Sequence, residues 1–102
     1  MINDDETADI LCGGKLTVLQ KARGYRFSVD SFLLAGFVNL RKKDRVLDLG
    51  TGSGILSVLL AVRFQPREIV GIEIQETLAD MARRTVVLNG LGNTVRILTG
   101  DA

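Results

Sequence analysis

The run "VLDLGTGSGILSVLLA", Val46 to Ala61, narrows the folds open to this chain more than any other feature. Glycine stands at every second position, Gly50, Gly52 and Gly54, between a segment that reads as a strand and one that reads as an apolar helix. Glycine accepts positive φ in a tight turn, and its missing Cβ lets another group approach the main chain closely. A helix that opens directly after such a turn aims unpaired N–H groups and a positive dipole end at the turn. An anionic or electron-rich ligand is favoured there. The same turn also serves as a purely structural strand-to-helix connection.

The rest of the chain supplies the context. Residues 1–9 are polar and read as loose, "GGKLTVLQ" as a short strand after a glycine turn, and "KARGYRF" as a turn leading into a further extended piece. A helix is expected next, capped by Ser28 or Asp30. Val29, Phe32, Leu33, Gly36, Phe37 and Leu40 would share its apolar face. Then come a strand from Arg45 to Leu49, a helix from about Gly54 to Phe64 stopping near Pro66, a strand from Glu68 to Ile72 and a helix from about Gln75 to Asn89. Gly90 and Gly92 mark its end, and a strand from Val95 to Leu98 follows.

Strand and helix alternate in units of about twenty residues, the spacing of parallel strands joined by right-handed crossovers. The expected fold class is α/β, the first half of a Rossmann-like doubly wound parallel sheet with a short N-terminal β/helix extension. Residues 1–45 would form the extension and residues 46–102 the cofactor-binding half, truncated after the third strand. In such sheets ligands bind beyond the carboxyl ends of the strands, where Gly50, Glu73 and Asp101 would lie. In a Rossmann-like parent sheet the strand order would be 3-2-1, with one apolar edge of the 46–49 strand open and available for self-association.

Composition excludes several chemistries. The chain has 102 residues, no histidine and one cysteine, Cys12. A zinc site or a histidine-based nucleophile relay therefore lacks its ligands or its base, and no metal is expected. A lone cysteine fits a reducing compartment, and the acidic start has neither the basic nor the apolar region of a signal peptide. No apolar run is long enough to span a membrane, so the cytoplasm is the expected location. The formal charge of +1 hides an uneven distribution. Residues 1–10 carry −4, residues 11–45 carry +6 and residues 46–102 carry −1. The basic stretch, from Lys15 to Arg45, is a solvated surface or a guide for a polyanion.

The chemistry of the loop sharpens around two acids. Glu73 follows the second strand of the repeat, 23 residues after Gly50, where a carboxylate accepts hydrogen bonds from both hydroxyls of a ribose. Glu76 and Asp80 read as helix-surface charges. The glycines are not followed by the Lys and Ser/Thr of a phosphate loop. A dinucleotide site prefers its third glycine one residue later, where Ile55 stands. S-adenosylmethionine has no pyrophosphate, and Asp48 would suit its ammonium group.

With these residues in view, "VLDLGTGSGILSVLLA" resembles motif I of Rossmann-like S-adenosylmethionine methyltransferases, "VGIEI" resembles their acidic second motif and "LTGD" their third. The resemblance implies that Asp48, Gly50 and Gly52 surround the methionine part of the cofactor, with Thr51 also in the cofactor site. It further implies that Glu73 holds the ribose, Ile74 packs on the adenine and Asp101 meets the adenine amine. The segment "GYRFSVDSFLLAGF" is similar to the one before motif I in bacterial adenine-N6 methyltransferases acting on a valine tRNA, which would bring Phe27, Ser28 and Asp30 to the cofactor.

Amino-methylating members also carry an Asn-Pro-Pro-aromatic motif, whereas the only proline here is Pro66. The resemblance thus implies the N-terminal, cofactor-binding part of a longer methyltransferase, without catalytic residues of its own and inactive alone. Its parent would methylate an adenine N6 in RNA, specifically tRNA. The alternatives are an rRNA, DNA or protein-glutamine methyltransferase, an NAD-dependent oxidoreductase fragment, or a non-catalytic interaction module.

Overall fold

The computed structural model describes residues 4–11, 16–21 and 38–100, with the backbone alone described at 9–11, 20 and 21. Seven elements follow in order: β1 (Glu6–Leu11), β2 (Leu16–Lys21), β3 (Arg45–Leu49), α1 (Ile55–Phe64), β4 (Glu68–Glu73), α2 (Glu76–Leu88) and β5 (Val95–Thr99). Strands β3, β4 and β5 form a parallel sheet in that spatial order, with Leu47 opposite Val70 and Ile72 opposite Leu98. This is the order expected of the first half of a Rossmann-like sheet. The expected helix over 28–40 falls largely outside the described residues. Val38, Asn39 and Leu40 are irregular chain, and Val38 and Leu40 pack on the core.

Residues 1–9 do not read correctly from the sequence. Glu6–Leu11 is a strand, paired antiparallel with β2 so that Glu6 lies opposite Lys21 and Leu11 opposite Leu16. The polar run lacks an apolar alternation that would announce a strand, because what holds it is remote. Arg84 of α2 donates from both terminal nitrogens to the two oxygens of Glu6, at 2.5 and 2.6 Å, and the Glu6 side chain is only 1% exposed. A bidentate guanidinium–carboxylate pair fixes orientation as well as position.

The two helices reflect different burial. Helix α1 is apolar almost all round, with Ile55, Val58, Leu59, Leu60 and Ala61 buried. It ends at Gln65, whose left-handed conformation (φ 52°) lets its N–H reach the Ala61 carbonyl at 3.0 Å just before Pro66. Helix α2 is amphipathic and buries Leu78, Ala79, Met81, Ala82, Thr85 and Val86. Gly90 stops it as expected. At φ 67° its N–H reaches the Val87 carbonyl, and the Leu91 N–H reaches that of Val86, which satisfies two carbonyls of the last turn.

Strand β2 is joined to α2 as if the helix were a neighbouring strand. The Thr17 N–H donates to Asn89 Oδ1 at 2.8 Å, Asn89 Nδ2 donates back to the Thr17 carbonyl at 2.6 Å, and the Leu19 N–H donates to Thr85 Oγ1 at 3.0 Å. Residues two apart on a strand and four apart on a helix each advance about 6 Å, so the two sets of groups match. Three backbone groups on the outer edge of β2 are thereby satisfied, and Leu16 and Val18 enter the main core beside α1, Ile69 and Ile97.

Candidate functional site

Strands β3 and β4 end side by side, and their C-terminal ends carry the candidate residues. Gly50, Gly52 and Gly54 all take positive φ, at 67°, 59° and 87°. The alternate glycines are therefore a conformational requirement of this turn. At Gly50 a Cβ would meet nothing within 4 Å, so this glycine is there for its φ and leaves the space beside it open. Gly54 has a second reason: a Cβ there would lie 3.0 Å from the Ala82 Cβ, so the start of α1 sits directly against α2.

Side chains brace the turn from within. Asp48 Oδ2 accepts from the Thr51 hydroxyl at 2.9 Å and from the Ser57 hydroxyl at 2.8 Å. The Thr51 N–H donates to the Ile72 carbonyl at 3.0 Å, which carries the β3–β4 pairing into the loop. Gly71, in the middle of β4, leaves room for this inward threonine. A Cβ there would come within 2.9 Å of Thr51 Oγ1 and of Ile97 Cδ1.

Glu73 connects the two strand ends. Its Oε1 accepts the Gly52 N–H at 2.8 Å and its Oε2 accepts the Gln75 N–H at 2.9 Å. The carboxylate is buried, and both bonds come from backbone groups that cannot move away without unravelling the turn. A carboxylate has about four acceptor positions, so two remain for hydroxyl donors of a ligand.

Of the residues singled out in the sequence, Asp48, Gly50, Thr51, Gly52, Glu73 and Ile74 gather at this end of the sheet. Ile74 is 64% exposed and presents an apolar surface beside Glu73. Phe27, Ser28, Asp30 and Asp101 lie outside the described residues. The structure adds Ser57, the second hydroxyl on Asp48, and Ser53, whose buried Oγ has no hydrogen-bond partner. Ser57 is the third residue of α1, where a short polar residue in an apolar helix was the available signal. Nothing in the sequence distinguishes Ser53. Among the described residues, no cluster of three or more His, Cys, Asp or Glu could hold a metal ion, and no helix is long and apolar enough to cross a membrane.

The model of the family described as protein-L-isoaspartate(D-aspartate) O-methyltransferase (PCMT) matches residues 29–102. The chain belongs to this family of Rossmann-like S-adenosylmethionine-dependent methyltransferases. Among curated relatives, the ribosomal protein L11 methyltransferase of Exiguobacterium sp. is 36% identical over 62 residues, covering 61% of this chain and 20% of its own length. The tRNA1(Val) (adenine(37)-N6)-methyltransferase of Photobacterium profundum is 36% identical over 63 residues, covering 60% of this chain and 26% of its own length. M. jannaschii TYW2, solved in complex with AdoMet, superposes with a TM-score of 0.82 at 20% identity, covering 97% of this chain and 45% of that one. The chain thus spans about a fifth to a quarter of the two curated relatives' lengths and under half of TYW2. The PCMT-family match and the TYW2 superposition agree on the methyltransferase fold.

Proposed function

We propose that this PCMT-family chain supplies the cofactor site of an S-adenosylmethionine-dependent methyltransferase whose acceptor is an adenine N6 in tRNA. The observation that carries the cofactor half is the pairing of Glu73 with the glycine loop. A buried carboxylate with acceptor positions to spare sits against a turn held open by positive-φ glycines. This donor and acceptor set suits a nucleoside with a free ribose diol and a cationic tail. A carboxylate there repels a ribose 2′-phosphate, and the loop offers no cation for a pyrophosphate.

In this reading Glu73 holds the ribose hydroxyls, Ile74 lies against the adenine, and Gly50 and Gly52 allow the methionine portion to approach the backbone. Asp48 acts beside them by holding the loop through Thr51 and Ser57, and its carboxylate suits the ammonium group of the methionine portion. Phe27, Ser28, Asp30 and Asp101 complete the proposed site. The bound cofactor supplies an electrophilic methyl group, and this chain's residues contribute binding and alignment, a large part of what such a transfer needs. The acceptor amine is oriented by other parts of the parent protein, and an adenine in an RNA loop is accessible without opening a duplex.

The acceptor rests on the tRNA-modifying relative and on the basic stretch before β3. A second reading, with a protein side chain as acceptor, is favoured by the equal identity of the ribosomal protein L11 methyltransferase.

Calorimetric titration with S-adenosylhomocysteine, with NAD as control, tests the cofactor half. Saturable binding of the homocysteine nucleoside that is lost in Glu73→Ala, with no NAD binding, is the expected result. Preference for NAD overturns it. Methyl transfer by the longer parent to tRNA rather than to ribosomal protein then decides the acceptor.

A further inference from the structure

Charge is distributed unevenly between the two ends of the sheet. Asp48, Glu73 and Glu76 stand at the C-terminal ends of the strands, around the glycine loop, and Arg83 reaches Thr99 at the end of β5, at 2.6 Å. Arg41, Lys42, Lys43, Arg45, Arg67 and Arg96, all exposed, gather at the opposite end. They come from the turn before β3, the start of β3, the connection from α1 to β4, and the start of β5. Two carboxylates lie among them, Asp44 and Glu68, the latter 3.8 Å from Arg96.

The rim is a braced structure. The Arg41 N–H donates to Asp44 Oδ2 at 2.8 Å and the Asp44 N–H to the Arg41 carbonyl at 3.0 Å, which closes the turn that displays Lys42 and Lys43. The Asp44 carbonyl in turn accepts the N–H groups of Arg67 at 3.0 Å and Glu68 at 3.4 Å. The turn and the α1–β4 connection are thereby held together, so the cations from both share one surface. Clustered like charge on a fixed scaffold raises the local potential and favours a polyanion.

We propose that this rim is a contact surface for the phosphate backbone of the RNA acceptor, separate from the cofactor mouth. The inference rests on the reading that the acceptor is an RNA, and it adds where that RNA is held. Helix α1, ten residues long, runs between the two ends. At 1.5 Å per residue the rim lies about 15 Å from the glycine loop. An RNA gripped by phosphates at the rim must extend along the protein to bring a base to the mouth. The acidic mouth itself repels phosphates and leaves the base as the part that enters.

The test uses this chain, a fluorescein-labelled stem-loop RNA and a salt series followed by anisotropy, comparing the natural chain with Lys42→Gln/Lys43→Gln. Each lost phosphate contact flattens the plot of log affinity against log salt by roughly 0.7 to 0.9. The double variant is expected to show a slope shallower by about 1.4 to 1.8 and weaker binding at low salt. Its S-adenosylhomocysteine titration should match that of the natural chain. An unchanged slope, no RNA binding by the natural chain at low salt, or preferential binding to phosphatidylglycerol vesicles each overturns the proposal. Because the nucleoside titration is read separately, failure of the cofactor reading is distinguished from failure of the rim.

Discussion

Glu73 Oε1 accepts the Gly52 N–H at 2.8 Å, so the acid at the end of β4 is fastened to the glycine loop at the end of β3. The same carboxylate holds the Gln75 N–H with its other oxygen, at the entrance to α2. One buried side chain thus sets the positions of two helix starts and keeps acceptor positions for a ligand.

Glu73→Gln is the corresponding test of charge. The amide retains an acceptor for one of the two N–H groups and presents a donor to the other, leaving a buried mismatch. Hydrogen bonds to charged groups contribute about 1.5–3 kcal/mol, so urea unfolding should show a loss on the order of 2 kcal/mol. S-adenosylhomocysteine affinity should fall about tenfold or more beyond any effect of unfolding. Unchanged affinity in the folded variant would remove Glu73 from the proposed site.

Gly71→Ala should disturb the site without replacing a site residue. The new Cβ meets Thr51 Oγ1 and Ile97 Cδ1 at 2.9 Å each, and Thr51 is the side chain that braces Asp48. Overpacking of this kind costs about 1–3 kcal/mol. Thermal unfolding should report that loss together with weaker nucleoside binding. Thr51→Ala in the same background should recover part of the stability but not the affinity.

Asn89→Ala removes the group that exchanges hydrogen bonds with Thr17, and Thr85→Val removes the acceptor for Leu19. Each substitution strands a backbone amide that faces α2, at about 1–3 kcal/mol. Amide hydrogen exchange separates them. Thr17 should lose protection in Asn89→Ala and Leu19 in Thr85→Val, while β5 amides change only as global stability does.

The Glu6–Arg84 pair makes a prediction about pH. The hydrogen bond to Glu6 is the largest influence on Arg84 and raises its pKa above the ordinary arginine value, with Asp80 adding to the effect. A raised pKa means that the stabilisation is fully present below the unfolded value and is lost only as pH climbs through the folded one. Arg84 titration therefore contributes no slope to stability through the neutral range. Glu6→Gln, by contrast, leaves the guanidinium, 16% exposed, without its main counter-charge, at about 3 kcal/mol. Chemical denaturation at several pH values checks both statements.

Self-association through β3 is the expected consequence of an edge that no strand pairs with among the described residues and of an exposed apolar face. Leu47 and Leu49 are 60% and 57% exposed, on the sheet face turned away from Asp48. Sedimentation velocity should show a mass average that rises with concentration, and Leu47→Lys should return the chain to monomer. A monomer at all concentrations for the natural chain contradicts this expectation.

What the sequence determined by itself was local or periodic. Alternating strand and helix lengths were enough for a parallel sheet, and the resemblance to a Rossmann-like fold supplied the order β3-β4-β5. The glycines at 50, 52 and 54 announced a positive-φ turn, and Gly90 announced the end of α2. Motif spacing brought Asp48 and Glu73 to neighbouring strand ends. Tertiary structure alone decided the pairings between distant residues. Glu6 pairs with β2 and is held by Arg84, 78 positions away, and β2 finds Asn89 at a separation of 72. Gly54 is required by Ala82 as much as by the turn, and Gly71 by Thr51 and Ile97 alone. Such partners leave no periodic trace, because a hydrogen bond or a close approach depends on where two segments meet in space.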